Sequence, residues 1–383
     1  MTKLIAFDQS FLFSNNCTNN PINYLLAEVS DYDWDSYYEY IKMHSSTSNF
    51  YIRGGKNNLP FKNDVVDFVG CQMPHYDQNF NWSFAECVDY RTNQLMHTHN
   101  DKEWEICWSG GMDSTAIVVS VLKCIEDRRH IRISMNRTSV YDNPNFYNDF
   151  IKPNFKIVDY GNALSEDLYY IDGNPCDHLF GIGKTMLMLL NSSNFRNQRS
   201  KKQLLDQPWR TSLSEISKLL SSNMNFQAAE WYINTTIENL SSVNIPNVTV
   251  YDFLQWHAYN QGWTNHMIRH WMNTDLDYAT YKQRHIQFFD TVELQQWSLH
   301  NNKRGIKYGT TWFDYKQVIK DYIYEFDGNE LNWKYQMKKG GATGTEKRID
   351  QRRNIALLSD GSSLKFHEYD KLLELLPDHV QNG

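Results

Sequence analysis

The chain has 383 residues, 41% of them hydrophobic, and is therefore long enough for one large domain and a smaller one. Its 38 basic and 45 acidic residues give a net charge of −7 without long runs of either sign, which argues against nucleic acid as a partner. Six cysteines without CxxC spacing argue against a disulfide scaffold or zinc site. The sequence shows no pattern of a signal peptide or membrane span, so we expect a cytoplasmic protein without membrane contact.

The first region of the chain, residues 1–97, is irregular. It contains short aromatic segments and the turn-forming stretch RGGKNNLPFKND, which predict a small β-rich or loop-rich N-terminal domain of unknown role. Residues 98–383 would form the second and larger domain.

The larger domain begins with an alternating pattern. Apolar runs at Trp104–Trp108, Ile131–Met135, Phe155–Val158 and Leu168–Ile171 alternate with helical patterns at 114–126 and 182–190. This alternation predicts an α/β fold with a parallel sheet. Residues 200–335 are mainly helical in pattern and rich in Trp and Tyr, which fits a helix-packing core better than a platform for stacking bases.

The stretch WSGGMDS, residues 108–114, lies between the first apolar run and the first helical pattern. A helix starting near Met112 would direct several backbone N–H groups and its positive end toward one small volume, which favours an anion. Gly110 and Gly111 would let the backbone approach phosphate oxygens closely, and Ser109 and Ser114 would add hydroxyl donors. The plainer alternative is a glycine-rich turn that caps a helix.

An acidic residue, Asp113, stands within this stretch and would repel a bare phosphate. It makes sense if Mg²⁺ lies between the carboxylate and the phosphates, because Mg²⁺ accepts oxygen atoms from both. The pattern SGGxDS resembles the pyrophosphate loop of the PP-loop ATP pyrophosphatases, a HUP-like fold class also called adenine nucleotide alpha hydrolases. By itself, the motif leaves thiolation enzymes, NAD synthetase, GMP synthetase, argininosuccinate synthetase and asparagine synthetase open.

A second stretch, LYYIDGNPCDHLFGIG at 168–183, also runs from a strand pattern into a turn and a helix. Its loop should meet the first one at the same edge of the sheet. It resembles the G-E-G-S-D-E-L-F-G signature of asparagine synthetases, with Gly173, Asp177, Leu179, Phe180 and Gly181 on matching positions. The resemblance implies that Asp177 and the acid of the first loop hold Mg²⁺ on ATP. The alternative for Asp177 is an N-cap of a helix at 178–190.

Two looser similarities follow downstream. KQRHIQFFDTVELQQWSL, residues 282–299, resembles the family's R-x-P-F-L-D segment through Phe288, Phe289 and Asp290. NWKYQMKKGGATG, residues 332–344, resembles its R-x-K-x-G loop and places Lys338 and Gly340 on the Lys and Gly. In the asparagine and β-lactam synthetases this lysine faces the reacting centre, so the resemblance implies that Lys338 stabilises negative charge in the transition state. The alternative is a solvated glycine-rich loop.

The chain also departs from the family. It begins Met-Thr where glutamine-dependent asparagine synthetases begin Met-Cys, so we expect no glutaminase activity. Asn174 stands at the position of the signature's Glu, and His178 replaces the Glu that follows Asp177. Because an amide cannot accept a proton as a carboxylate does, the general base would be His178, another group, or the substrate itself.

The resemblance therefore implies an ATP-dependent, AMP-forming carbon–nitrogen ligase that uses Mg²⁺ and joins a small carboxylate to ammonia or another amine. Two alternatives remain: a PP-loop enzyme that adenylates a nucleotide or nucleic-acid base, and a nucleotide-binding protein that has lost catalysis. A homodimer is also left open.

Overall fold

The computed structural model describes residues 4–8, 24–26, 74–159, 167–173, 176–180, 204–221, 226–254, 256, 271, 274, 276–301, 316–335, 354–358, 360 and 362–375. The chain forms two compact units. The first, here called the parallel unit, comprises Gln78–Phe180 and Ala279–Ile349; the other, the antiparallel unit, comprises Met1–Asp77, Gly181–Tyr278 and Asp350–Gly383.

The secondary structure is mixed. The strands are β1 Leu4–Asp8, β2 Tyr24–Leu26, β3 Glu103–Cys107, β4 Ile131–Met135, β5 Lys156–Asp159, β6 Leu168–Asp172, β7 His285–Gln287, β8 Asn354–Leu358 and β9 Ser363–Lys365. The α-helices are α1 Phe84–Thr98, α2 Met112–Cys124, α3 Arg137–Asp142, α4 Pro144–Phe146, α5 Lys152–Asn154, α6 Cys176–Leu179, α7 Leu213–Ser221, α8 Phe226–Val243, α9 Tyr278–Arg284, α10 Val292–Asn301, α11 Gln317–Asp327, α12 Glu330–Tyr335 and α13 Tyr369–Leu375. A π-helix spans Tyr147–Ile151, and 3₁₀ turns span Trp209–Ser212 and Phe366–Glu368.

The parallel unit contains a five-stranded sheet in the order β5-β4-β3-β6-β7. Each neighbouring pair in this sheet is parallel. The α/β fold with a parallel sheet, predicted from the alternating apolar runs, is therefore confirmed. The four apolar runs became β3 to β6 with shifts of at most one residue at either end.

The two faces of this sheet differ in chemistry. Trp104, Ile106, Ile133 and Ile171 share one face, and all four are fully buried. Because side chains alternate along a strand, the opposite face carries a different set, here called the polar face: Glu105, Cys107, Arg132, Ser134, Tyr170, Asp172, His285 and Gln287. Within it, Arg132 Nε donates to the buried Glu105 carboxylate at 2.7 Å.

Helices α1 and α2 pack against each other in the parallel unit. A buried hydroxyl pair, Thr92 and Ser120, joins them with 2.6 Å between the oxygens. Phe84, at the start of α1, packs against four other aromatic rings: Phe180, Phe289, Trp297 and Tyr322. These rings form part of the packed core of the parallel unit.

The antiparallel unit is built from both ends of the chain. Its sheet has the order β2-β1-β8-β9 with antiparallel pairs, so a strand near residue 4 pairs with one near residue 358. The Asn354 side chain donates to the backbone oxygens of Trp271, Thr274 and Leu276, which ties β8 to the segment before α9.

The boundary between domains was predicted at residue 97 on the chain. The parallel unit begins at Gln78 and includes α1, and the predicted boundary stays a prediction. Most of residues 1–97 lie outside the described part, and the small N-terminal domain stays a prediction. In the described part of the chain, no helix combines the length and the apolar character needed to cross a membrane.

Candidate functional site

The site forms where the connections of the parallel sheet diverge. From β3 the chain continues to β4 on one side, whereas from β6 it continues to β7 on the other side. The direction of the connections therefore reverses between β3 and β6, and in open parallel sheets ligands bind in the crevice at such a reversal. The two stretches singled out in the sequence follow these two strands.

The loop after β3 requires glycine at position 110. Gly110 has a φ of 76°, in the left-handed region that side chains disfavour. A Cβ there would lie 2.3 Å from the carbonyl oxygen of Ser139 and 2.8 Å from Cβ of Asp142, so helix α3 lies directly against the loop. Gly111 is the N-cap of α2 and has no side-chain capping bond. The first turn of α2 thus begins in a tight, backbone-lined curve.

Two hydroxyl groups shape this loop. The backbone N–H of Ser109 donates to Ser114 Oγ at 3.1 Å, and Ser114 Oγ donates to the carbonyl of Gly111 at 3.2 Å. The two hydroxyl oxygens are 3.2 Å apart. The predicted nucleotide-binding residues of the first loop therefore hold one another in place, with both hydroxyls beside the first turn of α2.

The loop after β6 reaches the same place through Gly173. A Cβ on Gly173 would lie 3.2 Å from the backbone nitrogen of Ser114 and 3.4 Å from Cβ of Asp113. Glycine therefore permits the second loop to approach the first turn of α2 closely. The structure brings together the two loops that the sequence placed at one edge of the sheet.

A lysine connects the two predicted metal ligands. Lys316 Nζ lies 2.6 Å from Oδ1 and 2.7 Å from Oδ2 of Asp113, and 2.5 Å from Oδ1 of Asp177. The Lys316 side chain is 2% exposed, whereas Asp113 is partly exposed and Asp177 is half exposed. The two carboxylates therefore lie close enough to share a single cation.

Lys316 stands just before α11 in an unusual conformation. Its φ of 50° and ψ of 41° are left-handed, and its ammonium also lies 5.7 Å from the centre of the Phe180 ring. A non-glycine residue in this region costs conformational energy, of order 1–3 kcal/mol, that its surroundings must offset. The ion pairs with both carboxylates supply such a compensation.

The alternative role of Asp177, the N-cap of a helix at 178–190, stays a prediction because most of that helix lies outside the described residues. Helix α6 begins at Cys176, so Asp177 lies in its first turn, and its carboxylate contacts Lys316. His178 and Cys176 are buried in the same helix. Burial, followed by the nearby Asp113 carboxylate, raises the pKa of the Cys176 thiol well above its usual value, which makes this cysteine a poor nucleophile.

Several predicted site residues fall outside the described part of the chain. They are Asn174, Lys338 and Gly340, together with Gly181 and the rest of the helix predicted at 182–190. In the described part, Asp113 and Asp177 are not joined by further His, Cys, Asp or Glu into a group of three or more that could hold a metal. Phosphate oxygens and water are further ligands that Mg²⁺ accepts beside carboxylates.

The R-x-P-F-L-D-like segment contacts the end of β6 and the aromatic core of the parallel unit. The backbone N–H of Phe288 donates to the carbonyl of Asp172 at 3.0 Å, and Phe289 stacks on Phe84. Asp290 accepts from the Gln295 amide at 3.1 Å. These residues fix the end of β7 beside β6.

The sequence did not reveal Lys316, which lies 203 residues from Asp113. Lys316 precedes α11 and Lys320 lies within it, and no local sequence pattern marks Lys316 as a partner of Asp113. Both lysines are almost fully buried, and buried lysines occur in proteins mainly where a partner compensates their charge.

The crevice thus combines a glycine-lined loop, a helix N-terminus, two carboxylates and one ammonium at a single sheet edge. A comparison of the chain with protein-family models, with characterised proteins and with solved structures finds no match.

Proposed function

We propose that this chain is an ATP-dependent, AMP-forming carbon–nitrogen ligase of the PP-loop type, similar to the synthetase domain of asparagine synthetases. The single observation that carries the proposal is the meeting of Asp113, Asp177 and Lys316 beside the Ser109–Gly111 loop. A phosphate-binding loop, two acidic side chains and one buried cation at a sheet edge are the groups that a nucleotide triphosphate with a divalent ion needs.

The residues present fit Mg-ATP. The tight curve of the loop requires glycine at position 110, because a Cβ there would overlap α3. The N–H groups at the start of α2 supply donors, since a helix N-terminus leaves them without partners in the helix. Asp113 and Asp177 already converge on one cation, and carboxylate oxygens are ligands that Mg²⁺ prefers. Bound there, Mg²⁺ would neutralise charge on the pyrophosphate.

The proposed reaction has two steps. An oxygen of the substrate carboxylate attacks the α-phosphorus of ATP, the bond to the bridging oxygen breaks, and pyrophosphate leaves an acyl-adenylate behind. The nitrogen of an amine then attacks the acyl carbon, the carbon–nitrogen bond forms, AMP leaves, and the amine loses one proton. The loop and Lys316 would hold the β- and γ-phosphates and stabilise the charge that develops on pyrophosphate.

The roles of the other predicted residues belong to the same proposal. Lys338 would stabilise charge at the acyl centre. His178 is a candidate for the proton acceptor, while Asn174 would only position substrate, because an amide is not a base. His178 is buried, so it would need contact with the amine inside a closed site.

The identity of the nucleotide product tests the proposal. Purified protein is incubated with Mg-ATP, a panel of small carboxylates and hydroxylamine as a general amine, and the nucleotides are separated by chromatography. We expect AMP and pyrophosphate, with hydroxamate formed in equal amount, and a loss of AMP in Asp113→Asn and Asp177→Asn. Formation of ADP and phosphate would refute the assignment.

One observation favours a second candidate, a nucleotide-binding protein without catalysis. The Lys316 ammonium already contacts both carboxylates, so it neutralises one of their two negative charges without a metal. If this reading is correct, ATP should bind with similar affinity in Mg²⁺ and in EDTA, and no carboxylate should give AMP. Formation of AMP from any carboxylate would exclude it.

A further inference from the structure

Gln287 is a buried amide at the carboxyl edge of the sheet, and the site described above does not use it. It is the last residue of β7, it lies on the polar face, and it is paired in register with Asp172 of β6. Its side chain is almost fully buried, with 8% exposure for the residue. Within the described structure its Nε2 has no hydrogen-bond acceptor.

An unpaired donor in this position needs an explanation. A buried N–H group without an acceptor has lost its hydration and gained nothing in return, so native proteins rarely leave one unpaired. Other buried amides of this chain have structural partners: Gln295 donates to Asp290, and Asn354 donates to three backbone carbonyls. The amide nitrogen of Asn143 is also unpaired, but its oxygen caps a helix and accepts from Asn332. No comparable structural role is visible for Gln287.

Its neighbours on the polar face supply complementary chemistry. The Asp172 carboxylate stands beside Gln287 in the register and lies 3.6 Å from His285 Nε2. A carboxylate accepts several hydrogen bonds, so Asp172 can also serve a ligand. Gln287 offers a hydrogen-bond donor and Asp172 beside it offers an acceptor. The complementary ligand group has a carbonyl oxygen next to an N–H, and that group is an amide.

Gln287 and Asp172 lie at the same sheet edge as the proposed phosphate-binding loop after β3. Gln287 ends the strand two positions away from β3, which leads directly into Ser109. Neighbouring strands lie about 4.8 Å apart, so the two strand ends are about 10 Å apart. This is the reach of a small molecule with one carboxylate at the nucleotide and a second polar group further along.

We propose that Gln287 and Asp172 form the subsite for an amide group of the acyl substrate, so that the carboxylate activated by this protein is peptide-like. Gln287 Nε2 donates to the amide carbonyl, and Asp172 accepts from the amide N–H. The inference rests on the proposed ligase function, because that function brings the substrate carboxylate to the same sheet edge.

The test uses N-acetylglycine as probe, with 4-oxopentanoate as its isostere in which CH₂ replaces the N–H. Gln287→Met keeps the length of the side chain and removes the unpaired donor, while Gln295→Met is the matched control at a buried glutamine with a partner. Thermal unfolding of the full chain is measured without ligand, with each carboxylate at millimolar concentration, and separately with Mg-ATP.

We expect Gln287→Met to unfold at a temperature equal to the wild type or about 2 °C higher, because it relieves the unpaired group. Gln295→Met should unfold at a lower temperature. N-acetylglycine should stabilise the wild type but not Gln287→Met, 4-oxopentanoate should bind the wild type about tenfold more weakly because it lacks the N–H, and the shift caused by Mg-ATP should be the same in both proteins.

Three results would each overturn the inference: destabilisation of Gln287→Met to the extent seen in Gln295→Met, retention of the N-acetylglycine effect in Gln287→Met, or no effect of N-acetylglycine on the wild type. These measurements need no turnover. If no carboxylate gives AMP, the ligase proposal fails while the binding result still decides the subsite.

Discussion

Replacing Gly110 by alanine measures how much the shape of the loop after β3 depends on its contact with α3. The new Cβ would lie 2.3 Å from the Ser139 oxygen, far inside an ordinary carbon–oxygen contact, in a backbone with a φ of 76°. The left-handed conformation costs about 1–2 kcal/mol for a residue with a Cβ. The overlap with a backbone carbonyl adds about 1–3 kcal/mol, so we expect a loss of about 2–5 kcal/mol.

Gly328 provides the matched control. Its φ is 64°, similar to that of Gly110, but nothing lies within 4 Å of a Cβ built on it. Gly328→Ala should therefore cost only the backbone term, about 1–2 kcal/mol. Urea unfolding followed by tryptophan fluorescence gives both values, and the difference between the variants isolates the contact with α3.

The same pair of variants separates stability from binding. Gly110→Ala should abolish ATP binding measured by calorimetry, because the loop can no longer curve around phosphate oxygens, whereas Gly328→Ala should bind as the wild type does. Equal losses of stability in the two variants would refute the close packing of the loop against α3. Undiminished ATP binding by a folded Gly110→Ala would refute its role as a phosphate cradle.

Three further predictions concern charge. Lys316→Met should lower stability by about 1–2 kcal/mol, a modest value because its carboxylate partners are partly exposed, and Mg²⁺ should restore the stability in thermal unfolding because it replaces the lost cation. Lys338→Ala should reduce AMP formation by about 10²–10³-fold with little change in ATP affinity, and Lys339→Ala should have a much smaller effect. Burial raises the pKa of Cys87 to about 12. The stability contributed by the protonated thiol is therefore complete below about pH 9 and is lost as the pH rises toward 12. In urea unfolding, the fall in the free energy of unfolding between pH 8 and pH 10.5 should be smaller for Cys87→Ala than for the wild type.

Each of these predictions has a clear contrary result. Stability of Lys316→Met that does not respond to Mg²⁺ would show that the carboxylates do not form a cation site. Similar AMP formation by Lys338→Ala and the wild type would remove that lysine from the chemistry. An unchanged slope of stability with pH in Cys87→Ala would show that another group is responsible.

The parallel sheet and its first loop could be predicted because their signals are local. Buried parallel strands are continuous apolar runs, and β4 occupies the residues that the pattern indicated, Ile131–Met135. The helix α1 was missed although Ser83 and Glu86 form a capping box before it, because its mixed composition gives a weak helical period. The sequence contained that signal, but the surrounding turn-rich segment dominated the prediction.

Other features depend on pairings that no local pattern encodes. The contact of Lys316 with Asp113 joins residues far apart in the chain, and the pairing of β1 with β8 joins its two ends. In the sequence, Gln287 has no feature that distinguishes it from other strand residues. Its importance follows from the register with Asp172 and from the burial of its amide, which only the structure shows. Long-range packing therefore determines the parts of the site that sequence reasoning could not supply.

The pairing of β1 with β8 also sets an order of events during synthesis. Phe7 pairs with Ala356, so the ribosome makes about 350 residues between the two strands, and at 5–20 residues per second this takes about 20–70 seconds. Among the described strands, β1 until then has only the three-residue strand β2 beside it, and an isolated two-stranded ribbon is barely stable in water. During that interval the edge of β1 that later pairs with β8 is open. Chains with an unpaired strand edge are prone to aggregate and are bound by molecular chaperones.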